Sequence, residues 1–238
     1  GLKPDAVVLV ATTKALKMHG GIKKDDLGSE NVDAVILGCK NLERHIENIG
    51  KFGVPVIVAI NDYVSDTERE HAAIIDYCQN IGVQCKISSH WEKGGKGAAN
   101  LAEEVAKIAD SNSAAFKTLY DNKMSLWDKT QYIAQNIYGA ADIIADKKIR
   151  NQFQKLEDDG FGEYPICMAK TQYSFSTDPL LMGAPSGHDV PIKEVRLSAG
   201  AEFVVVVCGE VMTMPGLPRI PASENIDVDN NGLIQGLF

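Results

Sequence analysis

Apolar residues fall into short blocks separated by stretches with helical spacing. Val7-Val8-Leu9-Val10-Ala11 is a β-prone block next to a turn signal, which predicts a strand buried on both faces. Val32, Val35, Ile36, Cys39, Leu42, Ile46 and Ile49 then recur at three- and four-residue steps up to Gly50, the apolar stripe of a helix. Val54 to Ile60 is a second buried block. Ser65 with Glu68 predicts a capping box for a helix that carries Ile74, Ile75, Cys78 and Ile81 and stops at Gly82. Val83 to Ile87 is a third strand, and Gly94-Gly95-Lys96-Gly97 opens a helix bearing Leu101, Val105 and Ile108. Strand and helix alternate three times, so a parallel sheet with helices on its faces is expected, a three-layer α/β first part.

The pattern changes at the polar stretch Asp110 to Ala114, which suggests one region over residues 1–113 and a second over 114–238. Helices are expected over Trp127–Tyr138, with Ser125 as N-cap, and over Asp146–Asp158, ending at Gly160. Beyond them Ile166–Ala169, Val190–Leu197 and Phe203–Val207 read as strands. Asn231-Gly232, between Ile226–Val228 and Leu233–Ile234, is a hairpin signal. This second part reads as a smaller α+β domain.

The 238 residues carry 24 Lys+Arg against 32 Asp+Glu, a net charge of −8. That balance argues against nucleic acid as a partner, because phosphate-backbone binding depends on clustered Lys and Arg. It leaves room for small anions held by a few local lysines. No run of about 18 uncharged apolar residues occurs, so a membrane span is not expected. The five cysteines form no CxxC and sit mostly in apolar runs, which predicts reduced, buried thiols in a cytoplasmic protein. The five histidines are scattered and no zinc spacing occurs, so no metal site is expected. The chain opens Gly1-Leu2-Lys3-Pro4-Asp5 directly before a strand, which suggests a piece of something longer.

Candidate chemistry lies at the carboxyl ends of the first-half strands, where open parallel sheets bind ligands. Asn61-Asp62-Tyr63 follows the second strand and His90-Trp91 follows the third. Two aromatics at neighbouring strand ends can hold a planar heterocycle between them; the alternative is a pair of edge or interface residues. Lys93-Gly94-Gly95-Lys96-Gly97 combines lysines with a helix N-terminus and can cradle a carboxylate or phosphate, or simply cap a helix. No GxxxxGK[ST] loop occurs anywhere in the sequence. If Lys170 to Ser176 is extended, Lys170, Gln172, Ser174 and Ser176 share one face, either a site lining or a solvated strand extension. Pro215, Gly216, Pro218 and Pro221 make a rigid loop suited to presenting backbone groups, or else a structural crossover.

Taken together these segments are more specific than any one of them. GLKPDAVVLVATTKALKMHGG (Gly1–Gly21), NLERHIENIGKFGVPVIVAINDYVSDT (Asn41–Thr67), HWEKGGKG (His90–Gly97), MAKTQYSFS (Met168–Ser176), MTMPGLP (Met212–Pro218) and the ending Gly236-Leu237-Phe238 resemble formate–tetrahydrofolate ligase. The resemblance runs in order along essentially the whole chain and corresponds to the C-terminal two-fifths of that family.

The resemblance implies an ATP-dependent ligase of one-carbon metabolism, with formate, ATP with Mg2+ and tetrahydrofolate as substrates and formyl phosphate as intermediate. It implies that Tyr63 and Trp91 sandwich the pterin and that Ile87 lines its pocket. Tyr63 stands where the family has Phe, and its hydroxyl then needs a partner. Lys93, Gly94, Gly95, Lys96, Lys170, Gln172, Pro215 and Gly216 are further candidate contacts. The family's P-loop and formyl-phosphate residues fall outside this sequence, so this polypeptide alone is expected to be inactive without the missing N-terminal part. A homotetramer and a monovalent cation also belong to the family pattern. The alternatives are a non-catalytic pterin- or folate-binding module and a structural, oligomerising remnant.

Overall fold

A computed structural model describes residues 2–209, 219–230 and 232–236. β1 (Val7–Ala11) leads through α1 (Thr13–His19) and α2 (Val32–Gly50) to β2 (Val56–Asn61). α3 (Glu68–Asn80) precedes β3 (Gln84–Ser88), and α4 (His90–Lys93) and α5 (Ala99–Asp110) follow it. The three strands pair in parallel in the order β1-β2-β3.

Parallel register puts Leu9 level with Val58 and Ala11 with Ile60, and these residues meet α2 and α3 in one core with Val35, Cys39, Ile74 and Cys78. The opposite sheet face carries Val8, Val10, Ile57, Ala59 and Lys86. There Lys86 Nζ lies 3.9 Å from Glu104 of α5, so α5 covers the β3 side of that face. Val8 and Val10 remain 39% and 61% exposed. Burial of β1 on both faces was the expectation, and it fails because α5 does not reach that far.

Helices α1 and α2 touch through glycine. A Cβ on Gly38 would lie 1.9 Å from the Leu16 carbonyl oxygen, and one on Gly20 would lie 2.0 Å from that of Ala34. The backbones are therefore as close as they can be at both points.

The capping box of α3 lies two residues later than expected. Thr67, not Ser65, is the N-cap: its side chain accepts from Glu70 N–H at 3.3 Å, while Glu70 accepts from Thr67 N–H at 3.2 Å. Glu70 also takes the Asn31 N–H at 2.8 Å and pairs with Lys17 at 3.0 Å, both side chains fully buried. Lys17 donates in turn to the Ser29 carbonyl at 3.0 Å. These long-range partners select Glu70 over Glu68, which no local pattern reveals.

The second half continues with α6 (Leu126–Asn136), β4 (Asp142–Ile144), α7 (Lys147–Leu156), β5 (Ile166–Ala169), β6 (Asp189–Ser198) and β7 (Phe203–Cys208). Its mixed sheet runs β4-β6-β7-β5, antiparallel only between β6 and β7. Ser125 and Asp146 cap α6 and α7, and the two helices enclose a second core with Val190, Val204 and Val206. β8 (Asp227–Val228) pairs antiparallel with β9 (Ile234–Gln235), the two segments expected to flank a hairpin turn; Asn231 of that turn lies outside the described residues. The whole is mixed α/β, as the alternation implied.

Polar ties join the two cores. Asn41 and Asn48 of α2 donate to the carbonyls of Gly183 and Ile137 at 2.8 and 2.9 Å, and Gly183 N–H donates to His19 at 3.1 Å. All five cysteines are free; Cys39, Cys78 and Cys208 are buried, but Cys167 on β5 is exposed, contrary to expectation. Among the described residues no helix is long and apolar enough to cross a membrane.

Candidate functional site

The carboxyl ends of β2 and β3 open onto a cleft of about 500 Å³ lined by Lys14, Asn61, Asp62, Tyr63, Val64, Ser65, His90 and Trp91. Strand geometry puts it there. β2 ends at Asn61, and the chain turns through Asp62 to Asp66 before α3 begins. A reciprocal pair holds that turn: Asp66 N–H donates to the Tyr63 carbonyl at 2.8 Å, and Tyr63 N–H donates to Asp66 Oδ2 at 3.2 Å. On the facing side Ser88, the last residue of β3, meets His90 Nδ1 at 3.0 Å and so steadies the short helix that carries Trp91.

Tyr63 and Trp91 are 44% and 72% exposed, large aromatic surfaces left uncovered at one cleft. The Tyr63 hydroxyl, an addition relative to Phe, accepts from Asn61 Nδ2 at 3.3 Å. Lys14 Nζ lies 5.1 Å from the Tyr63 ring centroid, within cation–π range. Sequence reasoning missed Lys14. It sits just past the carboxyl end of β1, where the rule that picked out Tyr63 and Trp91 applies equally. Ile87 is on β3, partly exposed, level with Ile60.

The glycine-rich segment is not an open cradle. Lys93 closes α4, and Gly94–Ala98 forms a tight 3-10 turn before α5. Gly94 has φ +58°, a left-handed conformation that suits glycine. A Cβ on Gly97 would come within 2.5 Å of the Ser89 backbone. Both glycines thus have structural reasons. Lys93 and Lys96 do not line the cleft, and Lys93 lies 3.8 Å from Glu92.

Lys170 and Gln172 belong elsewhere, in a second cavity of about 310 Å³ with His19, Asn41, His45 and Tyr138. Residues 170–176 are a turn, not an extended strand, because Lys170 folds it inward. Its Nζ donates to the carbonyls of Thr171, Ser174 and Ser176 and sits 4.7 Å from the Tyr138 ring centroid. Burial lowers its amine to about 8. The predicted face splits accordingly: Ser174 and Ser176 are buried against each other at 3.0 Å, and Tyr173 and Phe175 part, one exposed and one buried. Pro215 and Gly216 lie outside the described residues.

Three further side chains gather behind Tyr63. His71 Nε2 lies 3.5 Å from Asp66 Oδ2 and 3.7 Å from Asp62 Oδ1. It makes no hydrogen bond, and neither does Asp66 Oδ1.

A family model described as formate–tetrahydrofolate ligase matches residues 1–238. Curated relatives with that name include proteins from Granulibacter bethesdensis, 58% identical over 238 residues, from Ruegeria pomeroyi, 57% over 238, and from Pelagibacter ubique, 55% over 237. Each match takes in 100% of this chain and 42–43% of the relative. The chain thus spans about two-fifths of the length of the relatives it matches.

Proposed function

The chain belongs to the formate–tetrahydrofolate ligase family, and we propose that it forms the folate side of an ATP-dependent enzyme that joins formate to tetrahydrofolate. In that reaction ATP phosphorylates formate. N10 of tetrahydrofolate then attacks the formyl carbon of formyl phosphate, phosphate leaves, and 10-formyltetrahydrofolate results.

The observation that carries this reading is the cleft flanked by two exposed rings, Tyr63 and Trp91, at neighbouring strand ends. A pterin inserted between them gains about 0.5–1.5 kcal/mol per stacked ring beyond burial. Asn61, bonded to the Tyr63 hydroxyl, limits where that ring can turn. Lys14 supplies positive charge at the cleft for an anionic folate. Ile87 is proposed as an apolar wall, and Lys93 and Lys96, exposed beyond Trp91, as outer contacts for the folate carboxylates.

The family pattern supplies ATP with Mg2+, but this chain has no GxxxxGK[ST] loop. On this reading the grip on the nucleotide phosphates is supplied by the rest of the enzyme. A monovalent cation and assembly of several copies belong to the same proposal.

Trp91 fluorescence tests the assignment. A folate analogue is expected to quench it, and Trp91→Phe to abolish the quenching. Trp127, the other emitter, packs edge-on against Phe153 at 5.5 Å, outside the cleft. Quenching that survives in Trp91→Phe removes the stacking role. In the same preparations the isolated chain should make no 10-formyltetrahydrofolate; steady turnover would refute the division of labour.

A further inference from the structure

We propose that Asp62, Asp66 and His71 form a binding site for one first-row divalent transition-metal ion, of zinc type, beneath the Tyr63 turn. Asp62, Asp66 and His71 each offer one ligand atom, and these three atoms all lie within 4.8 Å of one another. The two distances from His71 Nε2, 3.5 and 3.7 Å, are too long for hydrogen bonds. They are close to the separation of about 3.3–3.4 Å between neighbouring ligands around a tetrahedral ion with bonds of ~2.0–2.1 Å.

Burial points to an ion as well. The Asp66 side chain is fully buried and that of His71 is 9% exposed. Nε2 and Asp66 Oδ1 have no hydrogen-bond partner. Asp66 Oδ2 already accepts the Tyr63 N–H, but Oδ1 and the His71 ring nitrogen have no partner, and buried polar atoms left so are costly; an ion bound by both residues offsets that cost. Asp62, 29% exposed, lies on the solvent side and gives the ion its way in. The donor set of one imidazole and two carboxylates suits zinc, cobalt, manganese or iron(II), whereas a nitrogen ligand is poorly matched to alkali or alkaline-earth ions.

The site is built by one short segment. Asp62 follows β2, Asp66 ends the turn, and His71 lies in the first turns of α3. An ion there would clamp strand to helix and fix the turn whose backbone is already tied to Asp66 through Tyr63. Metal uptake can be read without any pterin, so it stands or falls independently of the folate reading.

Cobalt(II) is the probe, added to the chain in a Cys167→Ser background so that the exposed thiol cannot compete. Equilibrium dialysis should find one bound ion, with visible d–d bands and no thiolate charge transfer in the near ultraviolet. Asp62→Asn and His71→Gln should each weaken uptake by more than about tenfold. Asp62→Asn is partly exposed and decides the matter if His71→Gln fails to fold, as judged by circular dichroism. No uptake by the folded parent, thiolate charge transfer, or undiminished uptake by a folded variant overturns the proposal.

Discussion

Glu70 ties three helices of the first half together. It closes the capping box of α3, holds the Asn31 N–H at the start of α2, and pairs with Lys17 of α1 in full burial. Burial by itself would raise its carboxyl, but the Asn31 N–H, the Lys17 ammonium and the Thr67 N–H outweigh burial and hold it below the usual carboxylate range. Glu70→Gln keeps the shape and leaves Lys17 charged and unpaired, which should cost about 3–5 kcal/mol at pH 7. A depressed carboxylate contributes stability above its unfolded value of about 4.3 and loses it as pH falls through the folded value. The gap between wild type and Glu70→Gln in urea midpoints should therefore hold from pH 7 to about pH 5 and narrow as pH falls below about 4.3. A gap that stays constant would show that the charge is not what matters. Sequence pattern finds a capping box in this stretch but not its register, because the choice of Glu70 is made by residues far away in the chain. Tyr63 and Trp91 were legible because strand ends place them; Asp62, Asp66 and His71 were not, since acids are too numerous to pair without coordinates.

At the scale of elements, β1, α2, β2 and β3 stand within a residue or two of where periodicity puts them, as do α6, α7 and β5 to β7. Their buried stripes and blocks carry the signal. β4, with three residues, is too short to show a period. Residues 170–176 alternate in sequence yet turn in space, because three carbonyls converging on one ammonium override a strand pattern that nothing pairs with. The crossing of α1 and α2 makes a sharper prediction. Gly38→Ala gains about 1 kcal/mol in helix propensity. The new Cβ, however, must displace the Leu16 backbone oxygen at 1.9 Å, and overpacking of that kind costs about 1–3 kcal/mol or more. Net destabilisation is expected in a thermal melt, with Gly50→Ala, which meets nothing within 4 Å, as the control that should not fall.

The molecule as a whole is two cores joined by polar ties from α2, with the aromatic cleft at the strand ends of the first. The net charge of −8 gives it an acidic body, and the cleft has Lys14 as its positive side chain. Like charge of that kind opposes non-specific association, but β1 works against it. The strand is an edge of its sheet among the described residues, its run Val7 to Ala11 carries no charge, and Val8 and Val10 face outward. An uncharged, β-prone edge is a template for pairing with another chain. In a concentrated solution of the isolated chain, light scattering should therefore rise with time and faster as salt screens the repulsion. Val10→Lys, which puts a gatekeeper charge on the open face, should suppress it without loss of folded structure. The same two valines that upset the expected burial of β1 thus set a practical limit on how long and how concentrated the isolated chain can be stored.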